Sequence, residues 1–216
     1  MPDRRCYHLA MRSDSSPTGQ RSGSFTENAR RQQIVGGAIV VLAEKGFNAA
    51  SLAAIAEHLG MSKGVISYHF AGKSEVLLEV VRTVLAQAAA WMTPRVSEAT
   101  SFAEALGVYI ASNLEFLDAH RNDIFALTEV LSNARTTQGV TEMFRESQQA
   151  AVTALEALFA GGKRTNEFGD ISPRVAAISL RAAIDSATNA LRDEPDFDVA
   201  GFGTELAALY ERATAR

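Results

Sequence analysis

The sequence predicts an all-α protein: a three-helix N-terminal unit followed by a C-terminal helical bundle, with about nine helices in total. Apolar residues recur three and four positions apart along most of the chain, which is the spacing of one helical face. Serine, glycine and proline separate these periodic segments, where helices are expected to begin and end. No segment shows the strict alternation of a half-buried strand. With 47% apolar residues among 216, the chain can bury a substantial core.

The first predicted helix begins near Ser24, which forms the spacing of a capping box with Glu27. It ends at Gly46, because glycine adopts the left-handed conformation at little cost. Its apolar stripe consists of Ile34, Val35, Ala38, Ile39 and Leu42. Arg30 and Arg31 lie on its polar side. They could contact DNA phosphates or simply face solvent, and the sequence favours neither role over the other.

Two short helices joined by a tight turn are predicted next. Ser51 stands where its oxygen can cap the first of them, and Gly60 ends that helix. The inner face of this helix carries Leu52, Ile55, Ala56 and Leu59. Ser62 then caps the second helix. Two short helices that meet at a glycine-containing turn form a helix-turn-helix, whose second helix is shaped to enter the major groove of DNA.

The outward side of that second helix supports a DNA-reading role. It offers hydrogen-bond donors, a cation and flat rings from Lys63, Gly64, Ser67, Tyr68 and His69. Gly64 costs a helix roughly 1 kcal/mol relative to alanine, which is understandable if a partner approaches the backbone there. Lys73, in the first turn of the following helix, opposes the helix dipole, and a DNA phosphate would balance it. The alternative is an αα-hairpin with a polar outer face.

Charge is distributed unevenly along the chain. The net charge is −4, yet residues 1–75 hold nine basic against six acidic side chains, while residues 76–216 hold twelve against nineteen. A basic N-terminal part on an acidic body is expected when only one end meets phosphate.

Residues 1–23 are rich in serine, glycine and arginine and predict a flexible arm. Its four arginines could follow DNA or belong to a solvated tail. The arm lacks the order of a secretory signal, and the single Cys6 excludes an internal disulfide. Both observations favour a cytoplasmic protein. No apolar run approaches the roughly 20 residues needed to span a bilayer, so no membrane partner is expected.

A helix that is apolar nearly all round is predicted from Lys73 to about Met92, with Pro94 just beyond it. Ser101 and Glu104 form a second capping box, which opens a helix ending near His120. Further helices are expected around 124–131, 138–160, 173–192 and 199–213, with a loop over 161–170. The predicted domains are a flexible arm over 1–23, a DNA-binding domain over 24–72 and a bundle over 73–216.

The ordered series from Ser51 to Leu77 closely resembles the DNA-binding region of TetR-family transcriptional regulators, and the likeness covers roughly residues 28–80. The resemblance implies an all-helical homodimer whose bundle holds a ligand pocket. It also implies DNA contacts by Ser51, Ser62, Lys63, Gly64, Val65, Ser67, Tyr68 and His69, with Lys73 on phosphate. Many members have tyrosine where this chain has Ser67, so the operator sequence does not follow from the likeness.

The resemblance raises two further expectations for the bundle. An ordinary core role and a pocket-lining role are both open for Trp91, Met92, Tyr109, Asn113, Phe116, Phe125 and Phe144. His120 and Arg135, like Asn113, are candidate polar residues of such a pocket. The last two helices, about 173–192 and 199–213, could pair with their symmetry copies as a four-helix dimer interface. A packed contact within one chain is the alternative for them.

Enzyme chemistry finds no support in the sequence. None of the four histidines forms a local pair with another histidine or a cysteine, and no glycine-rich loop follows a strand. We therefore expect no catalytic residues, no metal and no cofactor. The expected function is a ligand-responsive repressor that binds a palindromic operator as a homodimer and is released by a small apolar or amphipathic effector. The alternatives are a small-molecule-binding protein or enzyme that keeps the fold without binding DNA, and a helical protein-interaction module.

Overall fold

A computed structural model describes residues 25–133 and 139–216 of the chain. Within those residues it contains nine helices and no strand, which confirms the predicted fold class. The helices are α1 (Phe25–Ala49), α2 (Leu52–His58), α3 (Lys63–His69), α4 (Lys73–Ser97), α5 (Phe102–Ala119), α6 (Arg121–Asn133), α7 (Val140–Arg164), α8 (Pro173–Asp193) and α9 (Val199–Thr214). The predicted cap Ser24 and the arm over 1–23 lie outside the described residues.

The helices form two compact units. The head unit comprises the described residues of Ser13–Ala86 and Arg121–Arg145, and the bundle unit comprises those of Gln87–His120 and Glu146–Arg216. Helix α6 packs on α1 and therefore belongs to the head unit. The domain division at residue 72 remains a prediction.

The core of the head unit is built from the apolar faces that the sequence pattern identified. Ile34, Leu42, Ile55, Ile66 and Phe70 are at most 2% exposed. Helices α1, α2, α3 and the first half of α4 all contribute to this cluster, and α6 adds further buried side chains. Because α2 and α3 are only seven residues long, they depend on this burial to stay helical.

Helix α4 is longer than predicted. It continues to Ser97 with Pro94 inside it, rather than ending near Met92. A proline removes only one backbone hydrogen bond, and near the end of a helix the loss is small. The preceding turn is also stabilised, because Arg95 Nη1 donates to the carbonyl of Trp91 at 2.6 Å.

The same helix is, by length and composition alone, apolar enough to cross a bilayer, with a mean hydropathy of 1.3. A core helix has the same composition. Val76, Leu77, Val80, Val81 and Val84 of α4 are all buried in the head unit, which accounts for the apolar character of its first half.

Helix α7 also exceeds its predicted length, and the reason is packing. The glycine pair Gly161 and Gly162 was expected to open a loop, but both residues are helical. A Cβ atom on Gly161 would lie well within 3.0 Å of the Phe102 ring, and one on Gly162 would clash with Phe168 in the same way. The two glycines therefore allow two aromatic rings to approach the helix, and the loop begins after Arg164.

The predicted helix caps fall at the right positions, although not all of them bond. Ser51 Oγ accepts from Ala54 N at 3.1 Å, and Ser101 Oγ accepts from Glu104 N at 3.0 Å. Ser62 and Ser172 are N-cap residues without a side-chain cap bond. Gly46 breaks α1 with a φ of 76°, as its predicted role requires.

Candidate nucleic-acid interface

The turn between α2 and α3 has the geometry of a helix-turn-helix. Gly60 takes a φ of +63°, a left-handed value that a side chain would disfavour. The amide of Met61 then donates to the carbonyl of Ala56 at 2.9 Å and satisfies the end of α2. Ile66, which is fully buried, fixes the inner side of α3 against the core, so the opposite side of α3 faces outward.

Most of the predicted DNA-contacting residues are on the surface. Exposed residues are Ser51, Ser62, Lys63, Gly64, Ser67 and Tyr68, while Val65, His69 and Lys73 are half-buried. Tyr68 is 81% exposed, the highest value among the exposed large apolar side chains of the described chain. Its ring meets His69 edge-on, with centroids 5.0 Å apart. An exposed tyrosine held beside a lysine and hydroxyl groups is suited to contact bases and phosphates.

Gly64 has no structural reason to be glycine among the described residues. A Cβ atom there would meet only Ser62 Oγ, at 3.7 Å, which is an ordinary contact. Its backbone lies in the helical region, where alanine is favoured over glycine. The space above Gly64 is therefore open to a partner molecule.

Besides the phosphate contact predicted for it, Lys73 has contacts within the protein that the sequence did not predict. Its Nζ donates to the carbonyl of Phe47 at 2.6 Å and lies 4.1 Å from the centroid of the Phe47 ring. Burial lowers the pKa of Lys73 below its ordinary value. An ammonium group has three donors, so two N–H groups remain to meet a phosphate.

Arg31 connects α1 to the end of α3. Its Nη1 donates to the carbonyl of His69, its Nη2 pairs with Glu75 Oε1 at 3.0 Å, and its guanidinium lies 4.0 Å from the centroid of the Phe70 ring. Glu75 Oε2 also accepts from the amide of Ala71 at 2.7 Å. This set, which we call the Arg31 brace, fixes the turn from α3 to α4 on α1. Sequence reasoning missed it, because the partners are 38 and 44 residues apart.

The pKa of Glu75 is lowered, first by the hydrogen bond from the Ala71 amide. Partial burial acts in the opposite direction, and the hydrogen bond and charge of Arg31 lower the pKa further. The carboxylate is therefore ionised near neutral pH, as the brace requires.

Comparison with known proteins gives the family of this domain. Residues 34–80, from the middle of α1 into α4, match the family model described as bacterial regulatory proteins, tetR family. This N-terminal domain belongs to the TetR family. Its helix-turn-helix is thus the DNA-binding domain of a transcriptional regulator.

One curated protein and two solved structures extend the likeness beyond the DNA-binding domain. The fatty acid metabolism regulator protein of Bacillus subtilis (strain 168) is 20% identical over 179 residues, which is 82% of this chain and 91% of that protein. The crystal structure of FadR from Bacillus subtilis in complex with stearoyl-CoA has a TM-score of 0.71 at 19% identity and covers 82% of this chain and 96% of its own. AibR in complex with isovaleryl coenzyme A and operator DNA has a TM-score of 0.71 at 15% identity, covering 83% and 97%.

The predicted pocket residues of this TetR-family protein are divided between the units. Tyr109, Asn113 and Phe116 are buried in the bundle unit, where Trp91 and Met92 are half-buried. Phe125 and Phe144 are half-buried residues of the head unit, and Phe144 packs against its core cluster. The candidate polar residue Arg135 lies outside the described residues.

Tyr109 and Asn113 belong to a polar cluster inside the bundle unit. Arg181 Nη1 of α8 donates to Tyr109 Oη and to Asn113 Oδ1, both at 3.0 Å. Its Nη2 pairs with Asp185 Oδ1 at 2.7 Å, and Gln148 Nε2 donates to Asp185 Oδ2 at 3.2 Å. Burial disfavours the charged form of Arg181, but Tyr109 and Asp185 outweigh it and raise the pKa of the guanidinium. Sequence analysis missed Arg181; its only signal was an Arg–Asp pair four residues apart on an alanine-rich helix.

Two further pocket candidates, Trp91 and Phe116, form an aromatic cluster with His120 near the C-terminal end of α5. The rings of Phe116 and His120 stack with centroids 4.3 Å apart. Trp91 meets both edge-on, at 6.1 Å and 5.6 Å. Arg95 covers the outer face of the Trp91 ring at 4.0 Å.

Proposed function

We propose that this TetR-family protein is a ligand-responsive transcriptional repressor of the cytoplasm. It binds a palindromic operator as a homodimer and leaves the operator when a small amphipathic effector occupies the bundle. The observation that supports the DNA-binding role most is the outward face of α3, which is polar, exposed and open above Gly64.

DNA recognition is assigned to α3 and the ends of its neighbours. The proposed contacts are Ser51, Ser62, Lys63, Gly64, Val65, Ser67, Tyr68, His69 and Lys73. Side chains on α3 would read base edges in the major groove, whereas Ser51 and Lys73, at the starts of α2 and α4, would fix the position on phosphates.

A dimer is proposed because a palindromic operator requires two reading helices about 34 Å apart. Helices α8 and α9 are the proposed interface. They expose large apolar side chains at Val175 (65%), Ile178 (46%) and Leu209 (52%), which a second copy would bury.

The effector is proposed to be an amphipathic acyl compound. Two of the similar structures are complexes with acyl-coenzyme A, namely stearoyl-CoA and isovaleryl coenzyme A. The bundle unit supplies buried aromatic side chains beside a polar cluster, which is the kind of lining that suits such a ligand. Phe125 and Phe144 remain proposed pocket residues of the head unit.

Effector binding would act as a population shift. The ligand would favour a conformation in which the two reading helices no longer match the half-sites. Helix α4 is the proposed carrier of this change, because it contributes residues to both units and begins with the phosphate-contacting Lys73.

A gel-shift titration with DNA flanking the gene tests this proposal. We expect a discrete complex in the presence of excess nonspecific DNA, and its loss when decanoyl-CoA is added. The test variant is Lys63→Ala on α3. Its matched control is Lys45→Ala, which removes an exposed lysine of α1 outside the proposed interface. Equal affinity of the two variants, or no specific complex at low salt, would refute the assigned DNA face.

A further inference from the structure

One face of α5 forms a continuous stripe inside the bundle unit. Tyr109, Asn113, Phe116 and His120 are spaced four, three and four residues apart and therefore share a face. The first three are 8%, 8% and 3% exposed. At about 1.5 Å per residue, this α5 stripe is about 16 Å long. It has a polar end at Tyr109 and an aromatic end at His120.

The polar end has unused hydrogen-bond donors. Arg181 has five N–H groups, of which four are taken by Tyr109, Asn113 and Asp185. One Nη2–H therefore has no partner within the described ranges. Tyr109 Oη accepts from Arg181, and its phenolic proton has no acceptor among the described residues.

The aromatic end has an unpaired donor as well. Trp91 Nε1 is buried and has no hydrogen-bond partner among the described residues. A buried N–H group without an acceptor costs folding free energy, so its persistence calls for an explanation. The Trp91 ring packs on Phe116 and His120 of the α5 stripe, which places this donor at the aromatic end.

Charge restricts the kind of ligand that these donors can take. The guanidinium of Arg181 is already neutralised by Asp185, at 2.7 Å. A second carboxylate would be buried without a cation of its own, which is strongly unfavourable. The unpaired groups named above are all donors, so they match a ligand group that is an acceptor without charge.

We propose that the α5 stripe binds an uncharged acyl group, as found in esters and thioesters, and discriminates against the free acid. The acyl chain lies along Phe116 and Trp91, and its carbonyl oxygen accepts from Tyr109 and Arg181. This inference rests on the proposed function in one respect, namely that the bundle unit binds an effector.

Trp91 provides a direct assay, because it is the only tryptophan in the chain. The full-length protein is titrated without DNA at pH 7 with S-decanoyl-N-acetylcysteamine, methyl decanoate or decanoate. Both uncharged compounds should change the Trp91 emission with saturation, and decanoate should bind at least tenfold more weakly. Equal or tighter binding of decanoate, or no saturable change with any compound, overturns the proposal.

Two tyrosine variants test the assigned donor. Tyr109→Phe removes only a hydroxyl and should weaken thioester binding about tenfold. Tyr210→Phe is the matched control, since Tyr210 is similarly buried, at 7%, and its hydroxyl bonds to Ser179 Oγ at 2.9 Å. Its affinity should equal that of the wild type. Equal losses in both variants would show a general packing effect and overturn the assignment.

The α5 stripe and the proposed function can fail separately. If the thioester binds as expected but does not release the protein from its operator, the ligand site at the α5 stripe stands and the proposal of a ligand-released repressor is rejected. If an acyl compound releases the operator from wild type and from Tyr109→Phe with equal potency, the proposed repressor function stands and the ligand site at the α5 stripe is rejected.

Discussion

At the scale of single residues, the Arg31 brace shows how a side chain outside the DNA face can control it. Arg31 binds the last carbonyl of α3 and the carboxylate of Glu75, and it covers the Phe70 ring. If the brace positions α3, its loss should weaken DNA binding without changing the number of phosphate contacts.

Glu75→Gln separates positioning from simple electrostatics. Removing a negative charge near DNA should strengthen binding if only charge matters. If the brace positions α3, the variant should instead bind the operator about three- to tenfold more weakly, with an unchanged salt dependence. Anisotropy titrations at several salt concentrations measure both quantities, and tighter binding of Glu75→Gln would reject the positioning role.

The same carboxylate gives a pH prediction. The lowered pKa of Glu75 means that its stabilising contribution is present above its ordinary value of about 4.5 and is lost as pH falls through the lower folded value. Because the side chain is 40% exposed, the contribution should be below about 1 kcal/mol after screening. The Tm difference between wild type and Glu75→Gln should therefore be positive at pH 7 and shrink toward pH 3. A difference that grows in acid would contradict this assignment.

Lys73→Ala tests a residue with two roles. Loss of the proposed phosphate contact should weaken binding alike on all sequences and reduce the salt slope by about 1. Loss of the bond to the Phe47 carbonyl should also lower stability by about 1 kcal/mol. A changed base preference would argue against phosphate contact, and an unchanged salt slope would leave only the structural role.

The residues proposed for the DNA face could be predicted from sequence, because they lie on two short helices close together in the chain. The sequence did not predict the tertiary contacts of Arg31, Glu129 or Arg181, because these contacts join residues that are distant in the chain. Glu129 of α6, for example, accepts from the amide of Phe47 at 3.0 Å, across 82 residues. Such contacts depend on how helices pack, and periodicity does not specify which helices are neighbours.

At the scale of elements, the helix ends that depend on capping residues lie where the sequence predicts them. The helix ends that depend on packing against other elements do not. Ser51, Ser101 and Gly46 mark ends that local chemistry dictates. The end of α7 was predicted too early, because a glycine pair is typical of a loop but here makes room for Phe102 and Phe168. Local sequence does not reveal an approaching ring from another element.

Two glycine variants test this account of α7. Gly162→Ala should destabilise the protein by about 1–3 kcal/mol, since its Cβ would collide with Phe168. Gly107→Ala in α5 has nothing within 4 Å of its Cβ and should stabilise by about 0.5–1 kcal/mol. Chemical denaturation measures both, and equal effects would show that the glycines of α7 are not required for packing.

In helix α3, replacing a glycine is expected to impair DNA binding and not stability. Gly64→Ala should preserve or raise stability, because its Cβ meets only Ser62 Oγ, yet it should weaken operator binding at least tenfold if DNA backbone approaches there. Gly37→Ala is the contrasting variant, since its Cβ would lie 2.7 Å from Leu59 and should destabilise the head unit. Wild-type affinity of Gly64→Ala would remove the argument for close approach.

At the scale of the whole molecule, the uneven charge agrees with the position of the DNA-binding domain. The basic excess lies in residues 1–75, which contain α1, α2, α3 and the start of α4. The acidic remainder contains the rest of α4 and α5 to α9. The sequence thus indicated which end meets DNA, whereas the proposed effector site and dimer surface depend on side chains brought together from several helices.

The central claim is that two copies of α3 read one operator. Nuclease footprinting of the wild-type protein on DNA flanking its gene tests it most directly. The account predicts two protected half-sites with two-fold sequence symmetry, spaced about 34 Å or a multiple of it. Protection should disappear with Lys63→Ala and persist with Lys45→Ala. A footprint without symmetry, or protection that is indifferent to Lys63, would contradict the claim.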